Sequence, residues 1–465
     1  MTENTREIVL DILLFVERDK VFSHQLIRAV LDKYDYLDAR DKSFIKRVAE
    51  GTLERQIELD YYLDQFSKVP VRRMKPLIRC LLRMSAYQIL YMDGVPDSAA
   101  CNEACKLAQK RKFHELKGFV NGVLRNLAKG KENLKLLDRT EDEAAFYSVK
   151  YSMPKWLVEN WMAEYGSRVT EKILEGLLQI HPVSLRFSGK QGAEDRKVLL
   201  AKLENSGAVL TESKYLPDLY TVENTEGIGS LPGFKEGAFT VQDVSSALAV
   251  EAAGIRKSDF VMDLCAAPGG KSILAAERAQ KVLSRDVSEA KTALIRENLE
   301  RMNIENVTVQ VYDATVTDEE YLGRADVVLM DVPCSGLGIL GKKRDIKYHV
   351  SPQSLQEIVE LQKEIISHSW QYVKPGGILL YSTCTIHREE NEGMVQWILE
   401  HFPFDPVPLA GSIPDVLEGE RQQIGGLYGQ TEGCIQLLPG FMEADGFFFA
   451  KLRRREAPTE REEHI

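Results

Sequence analysis

Apolar residues recur at helical spacing over roughly the first 128 positions. Ile8, Ile12, Leu13, Phe15 and Val16 form one stripe, and Leu77, Ile78, Leu81, Leu82 and Met84 another. The second stretch is apolar on most faces, which predicts a central, buried helix. Pro96-Asp97 opens a further helix with Asp97 or Ser98 as N-cap. Cys101, Cys105 and Ala108 share one face of it. A cysteine pair at i, i+4 could hold a metal, but no nearby His or third Cys completes a site, so core packing is expected and no metal. Residues 129–150 are polar and charged and read as a linker. Ser152-Met153-Pro154-Lys155-Trp156-Leu157 then leads into a helix carrying Trp161 and Tyr165, with both tryptophans expected as core anchors. Val183–Ser188, Val209–Tyr215 and Tyr220–Val222 read as strands, with a helix at Glu194–Asn205.

From Gly237 the texture changes to alternating strand and helix. Apolar runs fall at Phe260–Leu264, Val282–Ser284, Val307–Val311, Val327–Met330 and Ile378–Tyr381, separated by helical stretches such as Ser288–Met302 and Ser354–Val373. This alternation predicts βαβ units and a doubly wound, mostly parallel sheet. Ile435–Leu438 and Phe447–Ala450 predict a closing antiparallel hairpin. The chain is therefore multidomain: an all-α bundle over 1–140, a small α+β module over 145–235 and a Rossmann-like α/β domain over 236–455, followed by a charged tail at 456–465.

Composition changes this picture little. With 465 residues, 44% hydrophobic and 28% charged, long disorder and low complexity are excluded. No apolar run approaches the ~18 residues that span a bilayer. Met1-Thr2-Glu3-Asn4 lacks the pattern of a signal peptide. Seven cysteines, an odd and scattered set, suggest reduced thiols in a cytoplasmic protein. A monomer with no membrane partner is expected.

Charge changes it more. The net charge of -10 argues against a nucleic-acid partner, yet residues 1–140 hold 26 Lys and Arg against 20 Asp and Glu. The bundle ends in a basic run, Lys106, Lys110, Arg111, Lys112, Lys117, Arg125, Lys129, Lys131 and Lys135. Such a run is either a solvated face or a phosphate-contacting patch. Asn102-Glu103-Ala104, this run and Phe119-Val120-Asn121-Gly122-Val123-Leu124-Arg125 resemble the C-terminal helices of the NusB family, all-helical RNA-binding antitermination factors. The resemblance covers about residues 4–130. It implies an RNA-binding role, with Lys110, Arg111, Lys112 and Arg125 as candidate contacts.

Parallel sheets bind ligands at the carboxyl ends of their strands. The first such end reads Asp263-Leu264-Cys265-Ala266-Ala267-Pro268-Gly269-Gly270-Lys271-Ser272. Small residues and two glycines let this backbone approach a ligand, and the next helix offers free N–H groups. It is neither GxGxxG nor GxxxxGK[ST]. The next two strands lead into Asp286 and Asp313, suited to a ribose and an adenine amino group. An adenosyl ligand without a dominant phosphate loop fits S-adenosylmethionine better than NAD or ATP. The bland alternative, acids as strand-end caps, weakens with each further strand end in register.

The fourth strand leads into Asp331-Val332-Pro333-Cys334-Ser335-Gly336 and the fifth into Ser382-Thr383-Cys384-Thr385. Two thiols and a carboxylate would then stand beside the cofactor. A thiolate adding to C6 of cytosine makes C5 nucleophilic enough to take a methyl group. The adduct must afterwards lose its C5 proton and expel the thiol. Asp331, if protonated or sharing a proton with N3 of the base, would stabilise charge. Spacing leaves the roles of the two cysteines exchangeable.

Asp263–Lys271, Asp-Val-Pro-Cys-Ser-Gly-Leu-Gly over 331–338, Tyr-Ser-Thr-Cys-Thr-Ile over 381–386 and Glu389-Glu390-Asn391-Glu392 together resemble the Nol1/Nop2/Sun RNA cytosine-C5 methyltransferases. With the NusB-like front end, roughly residues 4–452 resemble the bacterial 16S rRNA members of that family. The resemblance implies Cys384 as nucleophile, Cys334 in product release, and cofactor contacts at Cys265, Ala266, Ala267, Pro268, Gly269, Gly270, Lys271, Asp286, Asp313 and Asp331. It implies 16S rRNA, free or in an early assembly state, as substrate. Arg344 and Lys347, after the Pro-Cys loop, become candidate phosphate ligands. Where the family often shows Arg-Val-Asn, this chain has Arg186-Phe187-Ser188, which bears on RNA contacts and not on the chemistry. Two other readings stand beside this one: the same chemistry on tRNA, another rRNA or DNA, and a non-enzymatic RNA-binding antitermination or assembly factor. The intact pair Cys334 and Cys384 speaks against the last.

Overall fold

Proline placement and apolar stripes organise the helical part. The computed structural model describes residues 4–179, 182–190, 192–225, 227–425 and 432–456, so nearly all of the expected charged tail lies outside the described residues. Contacts divide the chain into two units. One ends at Leu178 but also contains Leu340–His349; the other runs from Gln179 to Ile339 and resumes at Val350.

In the first unit, helices Thr5–Asp19, Ser23–Lys33, Ala39–Glu54, Gln56–Phe66, Pro76–Tyr91, Asp97–Lys110 and Lys117–Gly130 surround one apolar core. Pro76 sits in the first turn of the central helix, where its missing N–H loses no bond. That helix is buried at Ile78 and at every position from Cys80 to Ile89, as its all-round apolar sequence predicts. Cys101 is buried in the same core, and Cys105 is buried as well. Asp97 proves to be the first helical residue rather than the cap; Pro96 holds the cap position, and the Asp97 carboxylate receives Lys131 Nζ at 3.0 Å.

The expected linker over 129–150 is largely helical. One helix runs on to Gly130, and Glu143–Lys150 is another, capped by Asp142 and burying Tyr147, Ser148 and Val149. The charges that made the segment read as polar, at 129–132 and 141–143, lie at the ends of these helices. Helices Lys155–Tyr165 and Ser167–Leu178 complete this unit. Trp161 is buried, whereas Trp156 is only partly so.

Leu340–His349 folds with these helices through complementary helix ends. Asp345 is buried and accepts the Ser23 N–H at 2.6 Å, at the positive end of Ser23–Lys33. Lys347 Nζ donates to the Glu54 carbonyl at 2.7 Å, at the negative end of Ala39–Glu54. Arg344 pairs with the Glu54 carboxylate at 2.9 Å.

The second unit holds two sheets. In the smaller, β1 (Val183–Phe187), β2 (Val209–Glu212), β3 (Leu219–Glu223) and β4 (Phe239–Val241) run antiparallel in the order β2-β3-β1-β4. Helix Ala193–Asn205 contributes Leu199 and Leu203 to a core with Leu185, Phe187, Val222 and Phe239. β4 lies beyond the limit of 235 expected for this module, because its pairing with β1 completes the sheet. The larger sheet contains β5 (Phe260–Asp263), β6 (Lys281–Asp286), β7 (Val307–Val311), β8 (Ala325–Asp331), β9 (Val373–Thr383), β10 (Phe404–Pro406), β11 (Cys434–Leu437) and β12 (Phe447–Arg454). Its order is β10-β12-β9-β8-β5-β6-β7, with β11 on β12. β5 to β9 are mutually parallel, and the β11–β12 pair is antiparallel, as expected. Among the described residues no helix is long and apolar enough to cross a membrane.

A buried ion pair ties the small sheet to the larger one. Arg186 Nη1 meets Glu277 Oε2 at 2.8 Å, and Arg186 Nε donates to Gln242 Oε1 at 2.6 Å. Nε and Nη1 of Arg186 are thus engaged, while its Nη2 is buried with no hydrogen-bond partner among the described residues. Removing one partner of a buried pair strands the other charge, so Arg186→Met should destabilise the chain by about 3–5 kcal/mol. Urea unfolding measures this, and adding Glu277→Met should restore part of the loss.

Candidate active site

Because β5 to β9 run parallel, their carboxyl ends share one edge of the sheet. β8 and β9 are neighbours in register, with Asp331 opposite Ser382. The residues just beyond, Cys334 and Cys384, therefore converge, and their sulfurs lie 3.3 Å apart. Both are free thiols. The Cys384 sulfur, burial and the charges of Glu390 and Asp331 hold the Cys334 thiol well above its ordinary range.

Asp331 Oδ2 accepts from Lys271 Nζ at 2.7 Å and its Oδ1 from the Ser382 hydroxyl at 2.8 Å. Burial opposes the charge of Lys271, but Asp331 outweighs it and raises the ammonium above its usual value. Asp331, considered from sequence as a group that stabilises charge, thus stands against the Lys271 ammonium. Backbone crossing sets the spacing of the two thiol loops. Gly338 N–H donates to the Cys384 carbonyl at 3.1 Å, and Gly446 N–H to the Gly338 carbonyl at 2.9 Å. A Cβ on Gly338 would stand 2.0 Å from the Gly446 oxygen, so no larger residue fits this crossing.

The turn after β5 bends as its small residues predict. Gly269 has φ +105°, favourable only to glycine, and precedes helix Gly270–Arg278. Ala267 N–H donates to Asp286 Oδ2 at 3.0 Å and Val287 N–H to Oδ1 at 2.8 Å, so Asp286 joins the ends of β5 and β6. Oδ1 also meets Lys291 Nζ at 3.0 Å, so it is Oδ2 that keeps a lone pair for a ligand hydroxyl. Asp313 is exposed, and its Oδ1 accepts from the N–H and hydroxyl of Thr315, which lowers its pKa. Burial pushes the Cys265 thiol up. Sequence reasoning did not single out Asp263. It is fully buried, burial raises its carboxyl to about 7, Ser272 donates to Oδ2 at 2.6 Å, and Oδ1 has no hydrogen-bond partner. An orphaned buried acceptor beside a glycine turn and two further acids suits a ligand with amino and hydroxyl donors. S-adenosylmethionine has that donor set.

The expected RNA contacts divide. Lys347 is not a phosphate ligand: it is buried within the helical unit, and burial pushes its ammonium down to about 7. Arg344 is likewise committed, to Glu54 and Glu50. Lys110 pairs with Glu7, and Arg111 with Asp11 and Glu7. Lys112 and Arg125 are exposed, as is Lys129, and no ion pair holds them among the described residues.

A Rossmann-like sheet with an acid-lined glycine turn and paired strand-end thiols defines a methyltransferase domain. Comparison with known proteins extends this to the whole chain. The family model described as 16S rRNA methyltransferase RsmB/F matches residues 252–453, that of the NusB family 3–129, and the RsmF/B-like ferredoxin-like domain 153–226. The probable ribosomal RNA small subunit methyltransferase B of Bacillus subtilis (strain 168) is 32% identical over 459 residues, 97% of this chain and 99% of that one. Its namesake in Salmonella arizonae is 32% identical over 421 residues, 90% and 91% of the two chains. The chain belongs to the ribosomal RNA small subunit methyltransferase B family, whose cofactor is S-adenosylmethionine.

Solved structures share the fold. PH0851 has a TM-score of 0.76 at 24% identity, over 98% of this chain and 100% of that one. NSun6 from Pyrococcus horikoshii, solved with SFG, has 0.53 at 20% identity, over 65% and 99%.

Proposed function

We infer that this protein methylates C5 of a cytosine in 16S rRNA through a covalent Cys384 adduct. The observation that carries the reading is the 3.3 Å approach of two free thiols beside the Asp331–Lys271 pair. In this reading the Cys384 thiolate adds to C6 of the base, and the Lys271 ammonium, held in place by Asp331, stabilises the negative charge gathering on the ring. Residues 265–271, Asp286 and Asp313, with Asp263, would hold S-adenosylmethionine, which supplies an electrophilic methyl group when bound. Release then requires the C5 proton to pass to a base, Asp331 or water in this reading. Its bonding pair forms the C5=C6 double bond, and the S–C6 pair returns to Cys384. Cys334, kept as a thiol, donates S–H toward that departing sulfur. The target base must leave its stack to reach two strand-end thiols, so single-stranded or locally opened RNA is the expected substrate.

Labelled-methyl transfer onto unmodified 16S rRNA, followed by mapping of the modified base, tests this. A methyl group on any atom other than cytosine C5, or on tRNA in preference to 16S rRNA, would overturn it.

The helical unit offers the exposed cations for RNA. Reversing Lys112, Arg125 and Lys129 to Glu in the full chain should weaken RNA binding and leave cofactor affinity unchanged. The slope of log K against log salt should become shallower by about 0.7–0.9 for each phosphate that is no longer neutralised. Unaltered RNA affinity would place the RNA elsewhere.

A further inference from the structure

One buried carboxylate near the thiols has no part in the chemistry described so far. Glu390 lies in the short turn Arg388–Glu390 that follows the strand carrying Cys384, and its exposure is 0%. The preceding acid, Glu389, is exposed. Glu390 Oε2 accepts the Ser335 N–H at 2.9 Å, the amide immediately after Cys334. The same oxygen accepts from Gln362 Nε2 at 3.0 Å, and that nitrogen also donates to the Pro333 carbonyl, immediately before Cys334, at 2.9 Å. Both peptide groups that bracket Cys334 are thus held by one buried pair.

The grip extends to the other thiol's strand. The Tyr381 hydroxyl, on β9 three residues before Cys384, donates to the Glu390 carbonyl at 2.6 Å and lies 3.3 Å from Gln362 Oε1. Gln362 and Tyr381 are both fully buried. A charged acceptor on a peptide N–H is roughly twice as strong as a neutral one, and it is worth more where water is excluded.

We propose that Glu390, with Gln362, is a positioning residue that clamps the backbone on both sides of Cys334 and so serves product release rather than methyl transfer. The proposal rests on the covalent mechanism above. Cys384 is placed by β9 itself, with its carbonyl received by Gly338. Cys334 lies on an irregular loop, and its sulfur has to reach Cys384 within a narrow range of geometry. A misplacement on the order of 1 Å can slow a positioned proton transfer by about a hundredfold.

The test uses full-length Glu390→Ala and Gln362→Met on RNA, with three readouts: single-turnover methylation, decay of the denaturant-resistant RNA–protein adduct, and S-adenosylmethionine affinity. Adduct decay should slow by on the order of tenfold to a hundredfold. Single-turnover methylation and cofactor affinity should change far less, and Glu390→Gln should fall between Ala and the parent. Gln362→Met removes the Pro333 tether without stranding a peptide N–H, so it decides the matter if Glu390→Ala does not fold. Parent-like adduct decay in Gln362→Met, or a joint loss of methylation, cofactor affinity and adduct decay, overturns the assignment. If the parent protein itself forms no Cys384-dependent adduct, the covalent mechanism fails, and that outcome is separately visible.

Discussion

Replacing Cys384 by Ser should lower methyl transfer by on the order of 10⁴-fold or more, because a serine hydroxyl is far less acidic and less nucleophilic than a thiol. Cofactor affinity should stay at the parent level. Cys384 touches the glycine turn through no hydrogen bond, and the acids at the ends of β5 and β6 keep their partners. Filter-bound methyl label with 16S rRNA measures the first effect, and calorimetric titration with S-adenosylmethionine the second. Residual activity above about a tenth of the parent would remove Cys384 from the nucleophile's role.

Replacing Cys334 by Ala should produce the opposite pattern. In the proposed mechanism addition and methylation need Cys384 and not Cys334, so the first turnover should proceed, but the departing sulfur would lose its neighbouring S–H at 3.3 Å. The adduct should persist as a slow band in a denaturing gel, its label resistant to boiling in detergent. Should that band arise from the Cys384 variant instead, the two cysteines exchange roles. The double variant should show neither band nor methylation.

Much of this site was legible because the chemistry sits at strand ends. Parallel strands buried on both faces read as continuous apolar runs, so β5, β6 and β8 could be located, while the edge strand β7 showed only its alternating valines; residues just past them share one edge by geometry alone. That is why Cys334 and Cys384 could be paired from the strand pattern. Short strands escaped for the same reason: β4 and β10 have three residues each, too few to show a pattern. Glu390 escaped because three carboxylates within Glu389-Glu390-Asn391-Glu392 look alike, and only the backbone turn decides which one points inward. Lys347 was misread because a lysine after a catalytic loop suggests phosphate. Only the tertiary fold shows its ammonium capping a helix carbonyl. Asp263 stood in the recognised motif, but its missing partner is visible only once every neighbour has been placed.

The decapeptide Leu340–His349 bears on how such a chain can be recombined. It is encoded between two elements of the methyltransferase domain, yet its Asp345 and Lys347 were fitted to the ends of two helices near the N-terminus. A single splice after Leu178, joining the bundle of one relative to the catalytic half of another, would import a buried aspartate and a buried lysine matched to foreign helix ends. A viable hybrid has to exchange two separated stretches of coding sequence together. The coding sequence of the helical unit is thus discontinuous, although a domain map would draw it as one cassette.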